Sequence, residues 1–433
     1  MNWWPGSYVR RAWDGWRLDG WSKTVDRSWD FMRRRLPWMP HHELIRVGAD
    51  VVASLTRLPT VEHPLASIVV PVFNKVEYTL ECLAALAACG DVCPFEVIVV
   101  DDGSSDATAE RVSALQGVRY LRNPSNEGFI GSCNRGAGAA RGEFLVFLNN
   151  DTAVQPGWLD ALLATFRVRG DAGLAGAKLL YADGMLQEAG GILYSDGRAG
   201  NYGRFDAALD PRYTHVREVD YCSGAAIAIP RVLFEQLGGF DDRYRPAYYE
   251  DADLAMRVRE AGHSVLYQPR SVVIHFEGIT SGTSETDGVK AYQVRNRDVF
   301  VQRWAEVLRR DHPSWGTPLD EAASRPCRRT LVAFCDADSA VRSAGLVGRL
   351  QQQGRPLMVR IEQGMLPPQL QHEWEAQGVE IWSGYWLVGL RGWMRRHRAR
   401  IAEIRVVDSV SARSFGRLLG ARSPVPVVLD TEA

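Results

Sequence analysis

The sequence predicts an α/β fold in two domains, and three observations carry that reading. Short apolar, often β-branched runs recur along the chain, as expected of strands covered on both faces. Segments with apolar residues at helical spacing separate them. That β-α-β-α-β alternation predicts a mostly parallel sheet with right-handed crossovers. At 433 residues the chain exceeds the size at which one hydrophobic core keeps growing, so two domains are the default.

The elements follow in order. Ile68 to Val70 is the first strand and runs into Pro71-Val72-Phe73-Asn74-Lys75. Val76, Leu80, Leu83 and Leu86 then recur on one helix face. Phe95 to Val100 is the second strand, and Ser104, Ser105 or Asp106 can cap the helix after it. Val118 to Arg122 is a short strand, Asn126 to Gly142 a glycine- and alanine-rich loop and helix, and Phe144 to Leu148 a further strand. Shorter strands follow near Gly173 to Leu180 and Ala225 to Pro230. A helix over Glu250 to Glu260 precedes Gly262 and the strand Ser264 to Tyr267, and Val272 to Ile274 leads into His275. Around Arg309 to Arg325 lies a polar linker with Pro313 and Pro318, and Pro326 just beyond it. A second α/β domain then opens with Thr330 to Phe334. Its other strands are Leu357 to Ile361, Val379 to Trp382, Glu403 to Val407 and Val425 to Leu429. The domains are thus placed at 61–308 and 328–433, joined by a linker at 309–327. Because no covering helix follows the last strand, the chain is expected to be a fragment of a longer protein.

Composition narrows the function. Hydrophobic content of 46% and charged content of 24% are ordinary for a soluble domain. A net charge of -1 gives no reason to expect a nucleic-acid partner. Seven cysteines at irregular spacing make neither a disulfide framework nor a zinc signature. Cys89 and Cys93 lack a second Cys/His pair. No apolar run reaches about eighteen residues, and Arg10, Arg11 and Asp14 interrupt any secretory h-region. A cytoplasmic location is expected.

Residues 1–60 form an arm of unusual composition. Trp3, Trp4, Trp13, Trp16, Trp21, Trp29 and Trp38 alternate with Arg10, Arg11, Arg17, Lys23, Arg27 and Arg33-Arg34-Arg35. Indoles lie at headgroup depth and guanidinium groups meet lipid phosphate, so residues 1–40 suit a peripheral contact with the inner face of the plasma membrane. Asp14, Asp19, Asp26 and Asp30 dilute the charge. The alternative is a helical arm whose indoles pack on the neighbouring domain.

Two strands end in acids. Val97 to Val100 stops at Asp101-Asp102-Gly103-Ser104, and Phe144 to Leu148 stops at Asn149-Asn150-Asp151. Singly, each acid could merely cap the next helix. Together they occupy the C-terminal sheet edge where open α/β folds bind ligands. Hard divalent cations prefer oxygen ligands, so the pair suggests a metal and nucleotide site.

Five segments in order now permit a comparison: SIVVPVFNK, EVIVVDDGSSD, NEGFIGSCNRG, FLVFLNND and YYEDADLAMRVREAG. They resemble a family 2 glycosyltransferase of GT-A fold, over about Ser67 to Gly282. The resemblance is strongest to rhamnosyltransferase-like enzymes of bacterial surface-polysaccharide assembly, where a segment like DYCSGAAIAIPRVLFEQLGGFDDRY precedes the ED motif.

The resemblance implies a nucleoside-diphosphate sugar donor, UDP- or TDP-linked, and a glycan or lipid-linked acceptor. It also implies Mg²⁺ or Mn²⁺ bridging the diphosphate as Lewis acid and template. Asp151 would coordinate that metal as the last member of a DXD-like triplet. Asn149-Asn150-Asp151 lacks the usual first acid, which weakens metal binding or leaves the ion mainly to the diphosphate. Pro71, Val72, Phe73 and Asn74 would meet the donor base and ribose. Asp102 would pair with the pyrimidine N3–H, with Asp101 able to exchange roles. Asn126, Gly128, Asn134 and Arg135 would pass the donor, Arg135 either touching phosphate or facing solvent. Asp251, with Glu250 second, would be the general base. Those acids could instead serve only the helix dipole. His275 would sit near the metal or diphosphate, or be structural. The reaction implied is one in-line displacement with inversion.

The region from Arg328 looks like the opening half of a GT-B type, Rossmann-like domain, carried by Phe334-Cys335-Asp336, Gln353-Gly354 and Val428 to Ala433. No independent activity is expected there. Competing readings are a non-catalytic nucleotide-sugar-binding scaffold and a nucleotidyltransferase. The second wants a glycine-rich basic loop after its first strand, and PVFNK is not one.

Overall fold

In the computed structural model, residues 44–276, 291–324, 328–383, 393–394, 397–407 and 426–429 are described. Most of the tryptophan-rich arm lies outside them. The chain divides into two compact units, one of residues up to Leu209 with Glu218–Gly316, the other of Asp210–Arg217 with Thr317 onward.

The first unit is built on β1 (Ala66–Val72), β2 (Phe95–Asp101), β3 (Val118–Arg122), β4 (Phe144–Leu148), β5 (Thr152–Val154), β6 (Ala172–Leu180), β7 (Leu186–Glu188), β8 (Gly191–Leu193), β9 (Ala199–Asn201), β10 (Ala226–Pro230) and β11 (Ser264–His275). β1 lies between β2 and β4, parallel to both, and β3 extends that parallel half. All seven residues of β2 and all nine of β6 are buried, and both are mostly apolar, with Glu96 and Asp101 in β2 and Lys178 in β6 as the charged exceptions. β3 is half-exposed, as an edge strand can be.

The expectation of a mostly parallel sheet is corrected by the other half. β10 enters antiparallel between β4 and β6, while β6 and β11 are parallel. β5 and β7 add antiparallel pairings to β11 and β6. The sheet is mixed. A short apolar run such as Ala226-Ile227-Ala228-Ile229 announces a strand but not its direction. The two strands expected around Ser264 to Ile274 are one, with a register irregularity between Gln268 and Val272.

Helix α1 (Val76–Ala88) and helix α2 (Thr108–Ser113) start from loops tied to each other. Asp106 takes both amides, Oδ2 accepting from Val76 N at 3.1 Å and Oδ1 from Thr108 N at 3.0 Å. Helix α3 (Gly128–Ala139) lies directly on β1. A Cβ at Gly136 would stand 2.3 Å from the Val69 methyl, so that close approach requires glycine. Leu44, Val47, Val52 and Leu55 pack against this unit's core, and Gln155 clasps Ile45 by bonds to its N (2.8 Å) and O (3.0 Å).

The second unit holds β12 (Arg329–Asp336), β13 (Leu357–Gln363), β14 (Glu380–Trp382), β15 (Ile401–Val406) and β16 (Val427–Leu429). All pairings are parallel, in the order β14-β13-β12-β15-β16. That is a Rossmann-like order with its reversal between β12 and β15. A GT-B assignment goes beyond what this sheet establishes. The final Asp430 to Ala433 lie outside the described residues.

Candidate active site

A cavity of about 370 Å³ opens at the C-terminal ends of β1 and β4. Its volume is that of a small-molecule site. Pro71, Val72 and Phe73 line it from the end of β1, Asn149, Asn150 and Asp151 from the end of β4.

Asp102 follows β2 into this cavity. Its Oδ1 accepts from Asn123 Nδ2 (2.6 Å) and Glu127 N (2.8 Å), its Oδ2 from Gly128 N (2.9 Å). The carboxylate thus pins the loop that starts α3. Gly128 has φ +75° there, and a Cβ would come 2.7 Å from Pro246. Asn126 and Gly128 line the cavity.

Asp101, its sequence neighbour, does not. Its side chain is fully buried, pairs with Arg122 at 2.5 Å, accepts from Ser104 N at 2.8 Å and is bonded by Tyr120. Three other expected donor contacts are likewise absent from the cavity lining. Asn74 accepts from Ser105 N (2.8 Å) and donates its own N–H to Ser104 Oγ (2.8 Å). Asn134 exchanges two bonds with the Phe240 backbone. Arg135 donates to Arg122 O (2.8 Å) and Asn123 Oδ1 (2.5 Å). These four residues build the walls from behind.

Pairing of β5 with β11 sets His275 opposite Thr152, and so beside Asp151. His275 Nε2 lies 3.4 Å from Asp151 Oδ1, and its Nδ1 lies 3.0 Å from Gln187 Oε1. With the Gln187 carbonyl at Nδ1, the ring proton sits there. In the neutral ring, Nε2 then turns a lone pair toward a carboxylate oxygen. Two facing acceptors need a proton or a cation between them. Among the described residues no cluster of three or more His, Cys, Asp or Glu could hold a metal. One carboxylate and one imidazole still fit an ion that takes its other ligands from phosphates and water, as Mg²⁺ commonly does.

Helix α4 (Glu250–Glu260) supplies the acids. Tyr248 and Tyr249 precede it at φ 76° and 71°, a left-handed backbone that costs bulky residues about 1–2 kcal/mol each. Asn296 clamps that turn, donating to Tyr244 O, Ala247 O and Tyr248 O at 2.6, 2.9 and 3.1 Å. Asp251 Oδ2 accepts from Gly224 N at 3.1 Å, and burial raises its pKa. Glu250 is held well above the carboxylate range by burial and by Asp251, and its Oε2 has no partner among the described residues. Both line the cavity.

Sequence reasoning passed over Glu188. It ends β7, lines the cavity, and is pushed up to about 7 by burial, with Asp251 adding. Gln187 was passed over too. The only sequence signal was an acid ahead of Gly190-Gly191 in a stretch that otherwise reads as loop.

Residues 67–227 match the family model described as Glycosyl transferase family 2. The chain is 30% identical over 254 residues to the uncharacterized protein y4gI of Sinorhizobium fredii (strain NBRC 101917 / NGR234), covering 56% of this chain and 28% of that one. It is 30% identical over 232 residues to the O-antigen biosynthesis protein RfbC of Myxococcus xanthus, covering 51% and 18%. An N-acetylglucosaminyl-diphospho-decaprenol L-rhamnosyltransferase of Mycobacterium tuberculosis (strain ATCC 25618 / H37Rv) is 28% identical over 226 residues, covering 46% and 72%. The chain therefore spans less than a third of the length of the first two relatives. Among solved structures, GalNAc-T7 with UDP, GalNAc and Mn²⁺ aligns at 16% identity and TM-score 0.45, over 63% of this chain and 61% of that one. An overlap that partial carries no inference about ligands.

Proposed function

We propose that the chain is an inverting, divalent-metal-assisted glycosyltransferase that moves a sugar from a nucleoside diphosphate to a hydroxyl of a glycan or lipid-linked acceptor. One observation carries this reading: a single cavity gathers Asp102, Asp151 with His275, and Asp251. Asp102 and the end of β1 are offered to the donor base. Asp151 and His275 would hold the ion, which when bound neutralises the diphosphate as it leaves. Asp251, made more basic by burial and fixed by Gly224 N, takes the acceptor proton as the oxygen attacks the anomeric carbon. The bond from that carbon to the diphosphate breaks with its electron pair, on the opposite face.

The family-model match over residues 67–227, the sheet edge and the acids support this reading. A thermal-shift screen of UDP-, TDP- and GDP-sugars, with and without Mn²⁺, followed by donor hydrolysis, tests it. Metal-dependent binding with turnover is expected. Binding without any turnover would instead favour a non-catalytic scaffold, and no binding would exclude both.

No described helix is long and apolar enough to cross a membrane. The arm of residues 1–40 is proposed to hold the enzyme at an anionic lipid surface. Salt-sensitive co-sedimentation with anionic liposomes, lost on deleting the arm, is the expected result.

A further inference from the structure

We propose that Glu188 is an acceptor-binding residue which, beside Asp251, selects an uncharged sugar carrying adjacent hydroxyl groups. This rests on the glycosyl-transfer reading and says which acceptors that site takes.

The Ser223-Gly224 turn presents two consecutive backbone amides, and each holds one carboxylate. Ser223 N donates to Glu188 Oε1 at 2.9 Å, and Gly224 N donates to Asp251 Oδ2 at 3.1 Å. Consecutive amides make the two acids neighbours and fix them through main chain rather than through mobile side chains. Glu188 is 2% exposed. Among the described residues it accepts no other hydrogen bond and forms no ion pair. A buried carboxylate with half its acceptor capacity unused is costly unless something completes it. Glu188 lines the cavity, so a bound molecule can.

The chemistry of that molecule follows from the pair. Once Glu188 is ionised, above about pH 7, the two carboxylates only accept hydrogen bonds, and side by side they suit two O–H donors on neighbouring carbons. The same pair repels a carboxylate or phosphate placed on that ring. Tyr221 and Tyr248 also line the cavity, and aromatic side chains suit a sugar's apolar side. Asp251 takes the proton of the attacking hydroxyl, while Glu188 holds the hydroxyl beside it and sets the ring's orientation.

Saturation-transfer NMR with UDP and Mn²⁺ present tests this, using methyl α-D-mannopyranoside, methyl β-D-galactopyranoside and methyl β-D-glucuronide as probes. At least one neutral glycoside should bind, the glucuronide at least about tenfold more weakly. Glu188→Gln and Glu188→Ala should each lower the neutral glycoside's affinity about tenfold or more. Their thermal shift with the donor found in the screen should stay that of wild type. The proposal is overturned if neither neutral glycoside binds wild type, if the glucuronide binds equally, or if both variants keep wild-type affinity. It is also overturned if both variants lose donor binding, since Glu188 would then be structural. Absence of donor binding by wild type would sink the glycosyl-transfer reading instead.

Discussion

Asp151 has no second acid in its triplet to take over from it. Asp151→Ala is therefore expected to abolish the metal dependence of donor binding, read as equal donor affinity with Mn²⁺ and with EDTA. On the proposed reading, Gln187 would act on the same ion through His275. Its carbonyl holds the proton on Nδ1 and so leaves Nε2 facing Asp151. Loss of such a supporting bond typically costs about 10–100-fold in metal affinity. Gln187→Leu should show that loss in a Mn²⁺ titration followed by electron paramagnetic resonance, while Gln187→Glu, which keeps an acceptor at Nδ1, should not. Asp251→Asn keeps the bond from Gly224 N but cannot take a proton. Turnover on acceptor should fall about 100-fold or more with donor affinity unchanged, as expected for loss of a general base. Greater damage from Glu250→Gln would transfer the role to its neighbour.

At the scale of elements, the sequence was most legible where burial leaves a simple pattern. β2 and β4 read as strands because they are buried on both faces, and their acidic ends mark the sheet edge that holds the cavity. Asp101 and Asp102 could not be told apart, because one residue of strand decides which carboxylate meets Arg122 and which meets α3. Glu188 was illegible for a different reason: a three-residue strand has no period to detect, and its burial comes from segments far away in sequence. The Asp210–Arg217 excursion into the second unit gave no sign either. It is held by a buried polar network. His215 Nε2 accepts from Arg329 Nη2 at 3.0 Å, and Glu380, the first residue of β14, pairs with Arg329, the first of β12, and with Arg400. Burial alone would raise Glu380, but Arg400 and Arg329 outweigh it and hold it well below the carboxylate range. Glu380→Gln leaves two buried guanidinium groups short of a counter-charge. A loss of about 3–5 kcal/mol is expected, visible as a lowered Tm with donor affinity intact.

Across the whole molecule these buried acids respond to pH in opposite directions. Glu188 titrates at about 7 in the fold against an ordinary 4.5, so the folded chain binds its proton more tightly than the unfolded chain does. Its contribution is full below about pH 4.5 and is lost as pH climbs to about 7. Glu250 and Asp251 are shifted in the same direction. Glu380 is shifted the other way, so its contribution is present above the ordinary carboxylate range and lost as pH falls below it. The acids of the cavity should thus weaken the first unit toward neutral pH, whereas loss of the Glu380 charge should weaken the second in acid. Glu188→Gln isolates the first effect, because an amide keeps the Ser223 bond and the volume but cannot ionise. Urea unfolding should show little difference from wild type at pH 5. At pH 8 the variant should be more stable, by on the order of 3 kcal/mol for a shift of this size. A variant no more stable than wild type at pH 8 would mean that Glu188 ionises without cost, and that its cavity is wetter than its burial indicates.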